Sequence, residues 1–584
     1  MEQEHSNRSA EVAESPKLSY AFGGDDIPLL EKTIPDLLDE ITEKHPDNEA
    51  LVDVPSDRRY TYREFRDTCR RAAKSFMTLG VQRGDRVAIW ATNRPEWVIV
   101  QLSTAMIGAV LVNINPACRT HELQHALRNS EAGTLLLIDR FKTSDYVSMF
   151  YSVCPEAKDS APGQMKPKNL PFMRNVILIG DEASPGMRAW QEFMKLGEGI
   201  SDEELAQRQK RLDIDDLINI QYTSGTTGSP KGASLTHNNI VNNGHSVGEG
   251  MRFTDKDRLC IPVPFYHCFG MVLSNLVCLT HGATMVMPAE YFDPLSTLQA
   301  IEKEKCTAVH GVPTMFIAVM DHPEFAQFDL STLRTGIMAG APCPVEVMRK
   351  AIDLMHVREI VIAYGETEAS PVATLTPVDA SLEDRTATVG SPLPHLEVKV
   401  VDQDTGQTIP CGQQGEICFR GYSTMRGYYN NPGATAEVID AAGWLHSGDL
   451  ATMDERGYCR ITGRIKEMII RGGENIYPRE IEEFLFAHPK IKDVQVIGVP
   501  DKKYGEEIQA WIQLKEGESA TADEVREFCR GNIAHYKIPR YIRFASAFPM
   551  TVTGKIQKFK MREMAIKELG LEAEAQTSGL YQLI

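Results

Sequence analysis

From about residue 27 onward the chain alternates stretches of helical period with short apolar runs, and this alternation limits the folds open to it. Residues 34–41 place Leu37, Leu38 and Ile41 at helical spacing, and residues 61–79 read as a second amphipathic helix. Residues 86–90, Arg-Val-Ala-Ile-Trp, are short and apolar and read as a buried strand. A helix over 97–110 follows, then strands over 109–112 and 134–138. Such β–α alternation predicts an α/β fold, a parallel sheet with helices on both faces. At 584 residues the chain is too long for one ordinary core. Its character changes near Arg464, after which a helix over 478–487, strands over 494–499 and 508–514 and a helix over 522–529 describe a small α+β unit of domain size. The expected organisation is a disordered tail over 1–25, a large domain of layered sheets and helices over 26–464, and a small α+β domain over 465–584.

Charge and composition exclude several classes of function. A formal net charge of -18 argues against nucleic-acid binding, which needs a basic footprint, but leaves room for a local basic cluster that holds a small anion. The 12 cysteines are scattered, with no C-x-x-C pair and no Cys/His metal spacing, and so predict free thiols in a reducing compartment. Residues 1–24 are polar and carry neither an apolar signal core nor an Arg-rich transit pattern. No run reaches the roughly 18–20 apolar residues that span a bilayer. Residues 269–278 are the most apolar stretch near the chemistry, and they contain Ser274 and Asn275. A cytoplasmic protein without membrane insertion is expected. Residues 155–170 read as an exposed loop and residues 201–212 as a surface helix.

The densest chemical signal is Tyr222-Thr223-Ser224-Gly225-Thr226-Thr227-Gly228-Ser229-Pro230-Lys231-Gly232. Its glycines let backbone approach a ligand, its hydroxyls and N–H groups suit phosphate oxygens, and Lys231 adds a point charge. The apolar run before it, residues 217–220, suits a strand that feeds a loop. It is not a Walker loop, because Pro230 precedes the lysine and Gly232 follows it. In Tyr364-Gly365-Glu366-Thr367-Glu368, Tyr364 offers a flat face to a purine, Thr367 a donor to a phosphoryl oxygen, and Glu368 a carboxylate to Mg²⁺. Asp449 follows a Ser-Gly turn, from which a carboxylate can accept bonds from two neighbouring hydroxyls; taken alone, Ser-Gly-Asp is also a common turn.

Taken in order, these segments resemble the adenylate-forming superfamily of acyl-CoA synthetases, peptide-synthetase adenylation domains and luciferases. The glycine- and hydroxyl-rich segment resembles its phosphate loop, and Ala339-Gly340-Ala341-Pro342 the turn that borders adenine and substrate. Tyr364 to Glu368 resembles Y-G-x-T-E, and Trp444-Leu445-His446-Ser447-Gly448-Asp449-Leu450 the ribose-binding segment. Gly463-Arg464-Ile465-Lys466-Glu467 resembles the hinge, with Glu467 where relatives often have Asp. Pro549-Met550-Thr551-Val552-Thr553-Gly554-Lys555-Ile556 resembles the segment with the catalytic lysine, and Gly472-Gly473-Glu474-Asn475-Ile476-Tyr477-Pro478 the thiol-step segment. The match runs from about residue 30 to about 570.

The resemblance implies an ATP-dependent acyl-CoA synthetase with ATP, Mg²⁺ and coenzyme A. Thr223 and Glu368 would hold the metal, Asp449 the ribose, and Arg464 the ribose or α-phosphate. Lys555 would bridge the attacking carboxylate and the α-phosphate, and the small domain would be mobile about Lys466. His267 is placed either near the acyl carboxylate or as a core histidine. Residues 268–273 lack the acid that would pair an amino-acid ammonium, and Val312, Met315 and Phe316 add apolar surface, so a fatty acid, medium-chain by preference, is expected. Gly365, lacking a side chain, is expected to leave the acyl pocket open. An aryl-acid CoA ligase and a stand-alone enzyme loading a carrier protein remain as alternatives. The partners expected are the acid and no nucleic acid, with a homodimer left open.

Overall fold

The computed structural model describes residues 16–223, 230–341, 343–471, 474–530, 532–551 and 556–577. Three large sheets and the two-stranded hairpin Arg140–Phe141/Ser144–Asp145 build the described part of the large domain. The first has eight strands, in the order Arg188–Ala189, Asn175–Leu178, Thr134–Leu137, Arg86–Trp90, Val110–Asn113, Leu217–Thr223, Lys231–Thr236 and Gly427–Tyr428. It is parallel up to Leu217–Thr223 and antiparallel beyond it. The second has nine strands; its parallel centre runs through Glu359–Tyr364, Thr335–Ala339, Ala308–Gly311, Arg258–Cys260, Thr284–Met287 and Glu49–Asp53. Val110–Asn113, Thr134–Leu137 and Ala308–Gly311 are buried at every position, so their sequences are mostly apolar and do not alternate. The helix Pro95–Met106 is buried along its whole length and is apolar on most sides for that reason. The helix Tyr62–Thr78 begins at Thr61, whose hydroxyl accepts from the Glu64 N–H while Glu64 reaches back to the Thr61 N–H.

The third sheet is wholly antiparallel, in the order Tyr20–Phe22, Leu396–Val401, Gly415–Gly421, Leu445–Met453 and Cys459–Arg464. Its first strand corrects the expectation of a disordered tail through residue 25. Tyr20, Ala21 and Phe22 pair with Lys399, Val398 and Glu397, and the Tyr20 hydroxyl donates to Glu397 Oε2 at 2.7 Å. This segment satisfies a sheet edge that would otherwise expose its N–H and C=O groups.

The small domain holds the strands Ile469–Arg471, Glu474–Ile476, Ile491–Asp501, Gly505–Leu514 and Tyr541–Phe544, with the helices Pro478–Phe486, Ala522–Cys529 and Lys558–Leu569. Ile469, Ile481, Leu485, Val494, Val496, Ile508, Ile512 and Val525 form a core of its own. At about 1.5–3 kcal/mol per buried aliphatic side chain, such a cluster is enough to hold a separate unit together. The strand Cys459–Arg464 is the last of the antiparallel sheet, and the strands of the smaller unit begin at Ile469.

Two boundaries differ from expectation. The helix predicted over 97–110 ends at Met106, because Gly108 takes φ 71° and turns the chain into the strand Val110–Asn113. The loop over 155–170 contains a 3₁₀ turn, Pro155–Asp159, and buries Ala157, Met165 and Leu170, so it is anchored rather than fully exposed. No described helix is long and apolar enough to cross a membrane.

Candidate active site

The ends of the three larger sheets of the large domain meet along one short segment. The strand Glu359–Tyr364 stops at Tyr364, and the chain then runs through Gly365 and Glu366 into a 3₁₀ turn, Thr367–Ala369. Tyr364 faces the antiparallel sheet, where its hydroxyl donates to Asp449 Oδ2 at 2.8 Å. Arg464 Nε donates to Asp449 Oδ1 at 2.6 Å. This pairing follows from register: Asp449 and Arg464 lie opposite each other on the adjacent strands Leu445–Met453 and Cys459–Arg464. Asp449 is 7% exposed and holds the Arg464 guanidinium above its ordinary pKa. Burial, and then the same carboxylate, raise the Tyr364 phenol. The turn before Asp449 is fixed in its own way: the Gly448 N–H donates to Glu416 Oε1 at 2.9 Å, and His446 Nδ1 donates to Glu416 Oε2 at 2.8 Å.

Four residues after Tyr364, Glu368 faces the first sheet. Its Oε1 accepts from Thr223 Oγ1 at 3.3 Å and from the Tyr428 hydroxyl at 2.8 Å. Thr223 is paired in register with Lys231, so the intervening loop leaves and re-enters the sheet at one point. Lys231 Nζ lies 5.1 Å from the Tyr428 ring centroid, on its face. Glu368 is 8% exposed and Thr367 9%. Both donated hydroxyls go to one carboxylate oxygen, which leaves the other to a hard cation; a carboxylate with a threonine hydroxyl alongside is a donor set that fits Mg²⁺.

Of the residues expected from sequence, Thr223, Glu368, Tyr364, Asp449 and Arg464 are thus brought together, with Lys231 on the same strand pair as Thr223. Glu366 supplies the backbone carbonyl that accepts from the Ala369 N–H at 2.8 Å. Gly340 takes φ 82°, and a Cβ there would lie 3.3 Å from Val312 Cγ1, so Val312 packs on the turn Gly340–Ala341. Pro230 precedes the strand Lys231–Thr236, and Lys466 sits in the 3₁₀ turn Ile465–Glu467 directly after Arg464. Ser224, Gly225, Thr226, Thr227, Gly228, Ser229, Pro342, Gly472, Gly473 and Lys555 lie outside the described residues.

One expectation changes. A Cβ on Gly365 would lie 2.1 Å from the Pro371 carbonyl oxygen and 2.9 Å from the Ala373 nitrogen. The glycine therefore permits a close backbone approach, sealed by the Ala373 N–H donating to the Tyr364 carbonyl at 2.9 Å, and a side chain there would meet main chain rather than an open pocket. His267 has a local duty, since its Nδ1 accepts from the Phe269 N–H at 3.1 Å and caps the short helix Cys268–Gly270. With Nδ1 accepting, a neutral ring carries its proton on Nε2, the tautomer that suits an acyl oxygen.

Sequence reasoning missed Tyr428, which arrives from an edge strand 60 residues from Glu368. It also missed Lys558, whose Nζ pairs with Glu482 at 2.8 Å and Glu467 at 3.2 Å and so ties the helix that follows Lys555 to the segment after Arg464. Burial pushes Glu467 up, but Lys558 and Arg464 outweigh it and hold the carboxyl below its ordinary range. The only hint of Lys558 in the sequence is its place in the basic run after Lys555.

An adenylate-forming enzyme is the class that this fold and this pair of clusters define. The chain belongs to the AMP-binding enzyme family, whose model matches residues 38–429, with the AMP-binding enzyme C-terminal domain matching residues 480–555. It is 51% identical over 93% of its length to YngI of Bacillus subtilis, provisionally named an acyl-CoA synthetase, and covers 99% of that protein. It is 46% identical over 95% of its length to the mitochondrial medium-chain acyl-CoA ligase ACSF2 of Danio rerio, covering 91% of it. Among solved structures, ATP-bound MatB from Rhodopseudomonas palustris superposes with a TM-score of 0.78 at 28% identity, over 91% of this chain and 99% of MatB.

Proposed function

We propose that the protein is an AMP-forming acyl-CoA synthetase that activates a medium-chain fatty acid. The observation that carries this reading is the order of partners along Tyr364 to Glu368. Its first residue bonds the Asp449–Arg464 pair suited to a ribose, and its last bonds the Thr223–Tyr428 pair beside the phosphate loop. A nucleotide laid along this segment has its sugar at one end and its β- and γ-phosphates at the other.

In the first half-reaction the fatty carboxylate attacks the α-phosphorus of ATP and pyrophosphate leaves. Asp449 and Arg464 hold the ribose, while Lys231 and the backbone of the phosphate loop hold the leaving group. Thr367 and Lys555 stabilise the charge that develops on the α-phosphoryl oxygens. Glu368 and Thr223 would hold Mg²⁺, which would supply neutralising positive charge at this end of the site. In the second half-reaction the small domain turns about Lys466, Gly472 and Gly473 face the pantetheine arm, the thiol attacks the acyl carbonyl and AMP leaves.

An aliphatic substrate is supported by the apolar residues Phe269, Val312 and Met315, which are buried in one core cluster, and by the absence of an acid over residues 268–273. ACSF2, a relative at 46% identity, is named for medium-chain acids. All 12 cysteines are free thiols, which supports a reducing compartment, with the cytoplasm as our reading. The test is AMP release, with and without coenzyme A, across straight-chain acids from acetate to palmitate, benzoate and an α-amino acid. A maximum at medium chain length that depends on coenzyme A is expected. Preference for acetate, benzoate or the amino acid, or turnover indifferent to coenzyme A, refutes the assignment.

A further inference from the structure

Outside the nucleotide site, His245, Glu249 and His281 converge where the helix His237–Gly250 packs on the helix Val277–His281. One ligand atom from each lies within 4.8 Å of the others. His245 and Glu249 are one helical turn apart and so share a face. The His281 side chain is 6% exposed. Its Nδ1 lies 3.1 Å from the Val277 carbonyl oxygen and 2.9 Å from Thr280 Oγ1. A carbonyl only accepts, and the single Thr280 proton is directed to the Leu276 and Val277 carbonyls, so Nδ1 carries the His281 hydrogen. In the neutral ring that tautomer leaves a lone pair on Nε2, which faces Glu249 Oε1 at 3.4 Å. Nε2 is buried and makes no hydrogen bond. A ring nitrogen and a carboxylate oxygen facing each other at this distance are held either by a proton on Nε2 or by a metal ion between them.

The surroundings are shaped for the ring. A Cβ on Gly248 would lie 2.2 Å from His281 Cε1, so only glycine at this position seats the imidazole. The His245 ring stacks on it at 5.7 Å with 29° between planes, and His245 Nδ1 is likewise buried without a hydrogen bond. Lys32, the nearby lysine, is itself paired with Glu40. Glu249 is 45% exposed, which gives an ion a path in and leaves its carboxylate free to close on it.

We propose that His245, Glu249 and His281 form a site for a divalent transition metal of the Zn²⁺ or Co²⁺ type that clamps these two helices together. Two imidazoles and one carboxylate suit such borderline ions rather than Mg²⁺ or Ca²⁺, and water completes the shell. At Zn–N and Zn–O lengths of about 2.0–2.2 Å, tetrahedral neighbours sit near the 3.4 Å that separates His281 Nε2 from Glu249 Oε1. The hydrogen bond from His281 Nδ1 to the Val277 carbonyl is the outer-sphere contact that fixes a ligating imidazole.

The test titrates Co²⁺ alone into chelator-treated, full-length protein and follows its visible ligand-field absorption. One equivalent with a tetrahedral nitrogen–oxygen spectrum, displaced by Zn²⁺, is expected. Glu249→Gln and His245→Ala should each weaken it by more than the roughly 10–100-fold that loss of an outer-sphere partner costs. Acyl-CoA synthesis in Mg²⁺ by the same variants reports that they have folded. A second cluster, Glu416, Cys418 and His446, would announce itself by thiolate-to-metal charge transfer that survives in both variants. Co²⁺ uptake identical in wild type and variants, or a charge-transfer spectrum alone, overturns the proposal. So does no uptake, which would show that a proton bridges His281 and Glu249.

Discussion

Tyr428→Phe removes one oxygen from the candidate site and leaves the rest in place. The Tyr428 hydroxyl gives Glu368 the shorter of its two bonds, 2.8 Å against 3.3 Å from Thr223. Glu368 is 8% exposed, so water replaces the lost donor poorly. A hydrogen bond to a charged group contributes about 1.5–3 kcal/mol, and because Thr223 remains, the lower end applies. That corresponds to a loss of about tenfold in kcat/KM for ATP, together with a higher Mg²⁺ requirement, since Glu368 is no longer held in its binding orientation. The Phe ring still lies beneath Lys231 Nζ, whereas Tyr428→Leu also removes that contact, worth about 0.5–2 kcal/mol more. ATP–pyrophosphate exchange measured over a matrix of ATP and Mg²⁺ concentrations separates the two effects. If Tyr428→Phe exchanges as wild type does at every Mg²⁺ concentration, Glu368 is not the residue that positions the metal, and the reasoning fails.

Lys555→Ala should abolish adenylate formation from acid and ATP while leaving thioester formation from supplied acyl-AMP largely intact; loss of both steps in a folded variant would count against its role. Lys558→Met leaves the Glu467 and Glu482 carboxylates facing each other without their shared cation, and should destabilise the small domain by about 3 kcal/mol, read from amide exchange of its core strands. An unchanged exchange rate would show the pair to be ornamental. The hydrogen bond from His446 to Glu416 raises the His446 pKa above its ordinary 6.5, so its stabilisation is fully present below that pH and is lost as pH rises through the folded value. His446→Gln should therefore be less stable than wild type in mild acid and converge with it above neutrality, as measured by urea midpoints across pH; a gap that widens in alkali contradicts this.

Much of the large domain was legible because buried parallel strands announce themselves. Residues 86–90 were assigned without error, since a strand buried on both faces has no alternation to confuse. Asp449 and Arg464 could be named from sequence, but their 2.6 Å bond depends on register across a turn, with a register shift between Leu450 and Ala451. Tyr428 could not be found, since nothing local says that a two-residue edge strand will deliver a phenol to a carboxylate 60 residues away. The tail was misread because three paired residues are too few to show a period. Gly365 was misread because a missing side chain looks the same whether it leaves room for a ligand or for backbone.

The bond between Asp449 and Arg464 has a mechanical side. Arg464 is the last residue of its strand, and the 3₁₀ turn that contains Lys466 begins at the next residue. With the proposed hinge there, the fulcrum lies beside the grip on the sugar rather than at the far edge of the molecule. Torsion at Lys466 would then sweep the distant parts of the small domain through wide arcs while displacing Arg464 scarcely at all. The intermediate could stay anchored by its ribose through the whole stroke, and the enzyme would exchange tools without setting down the workpiece.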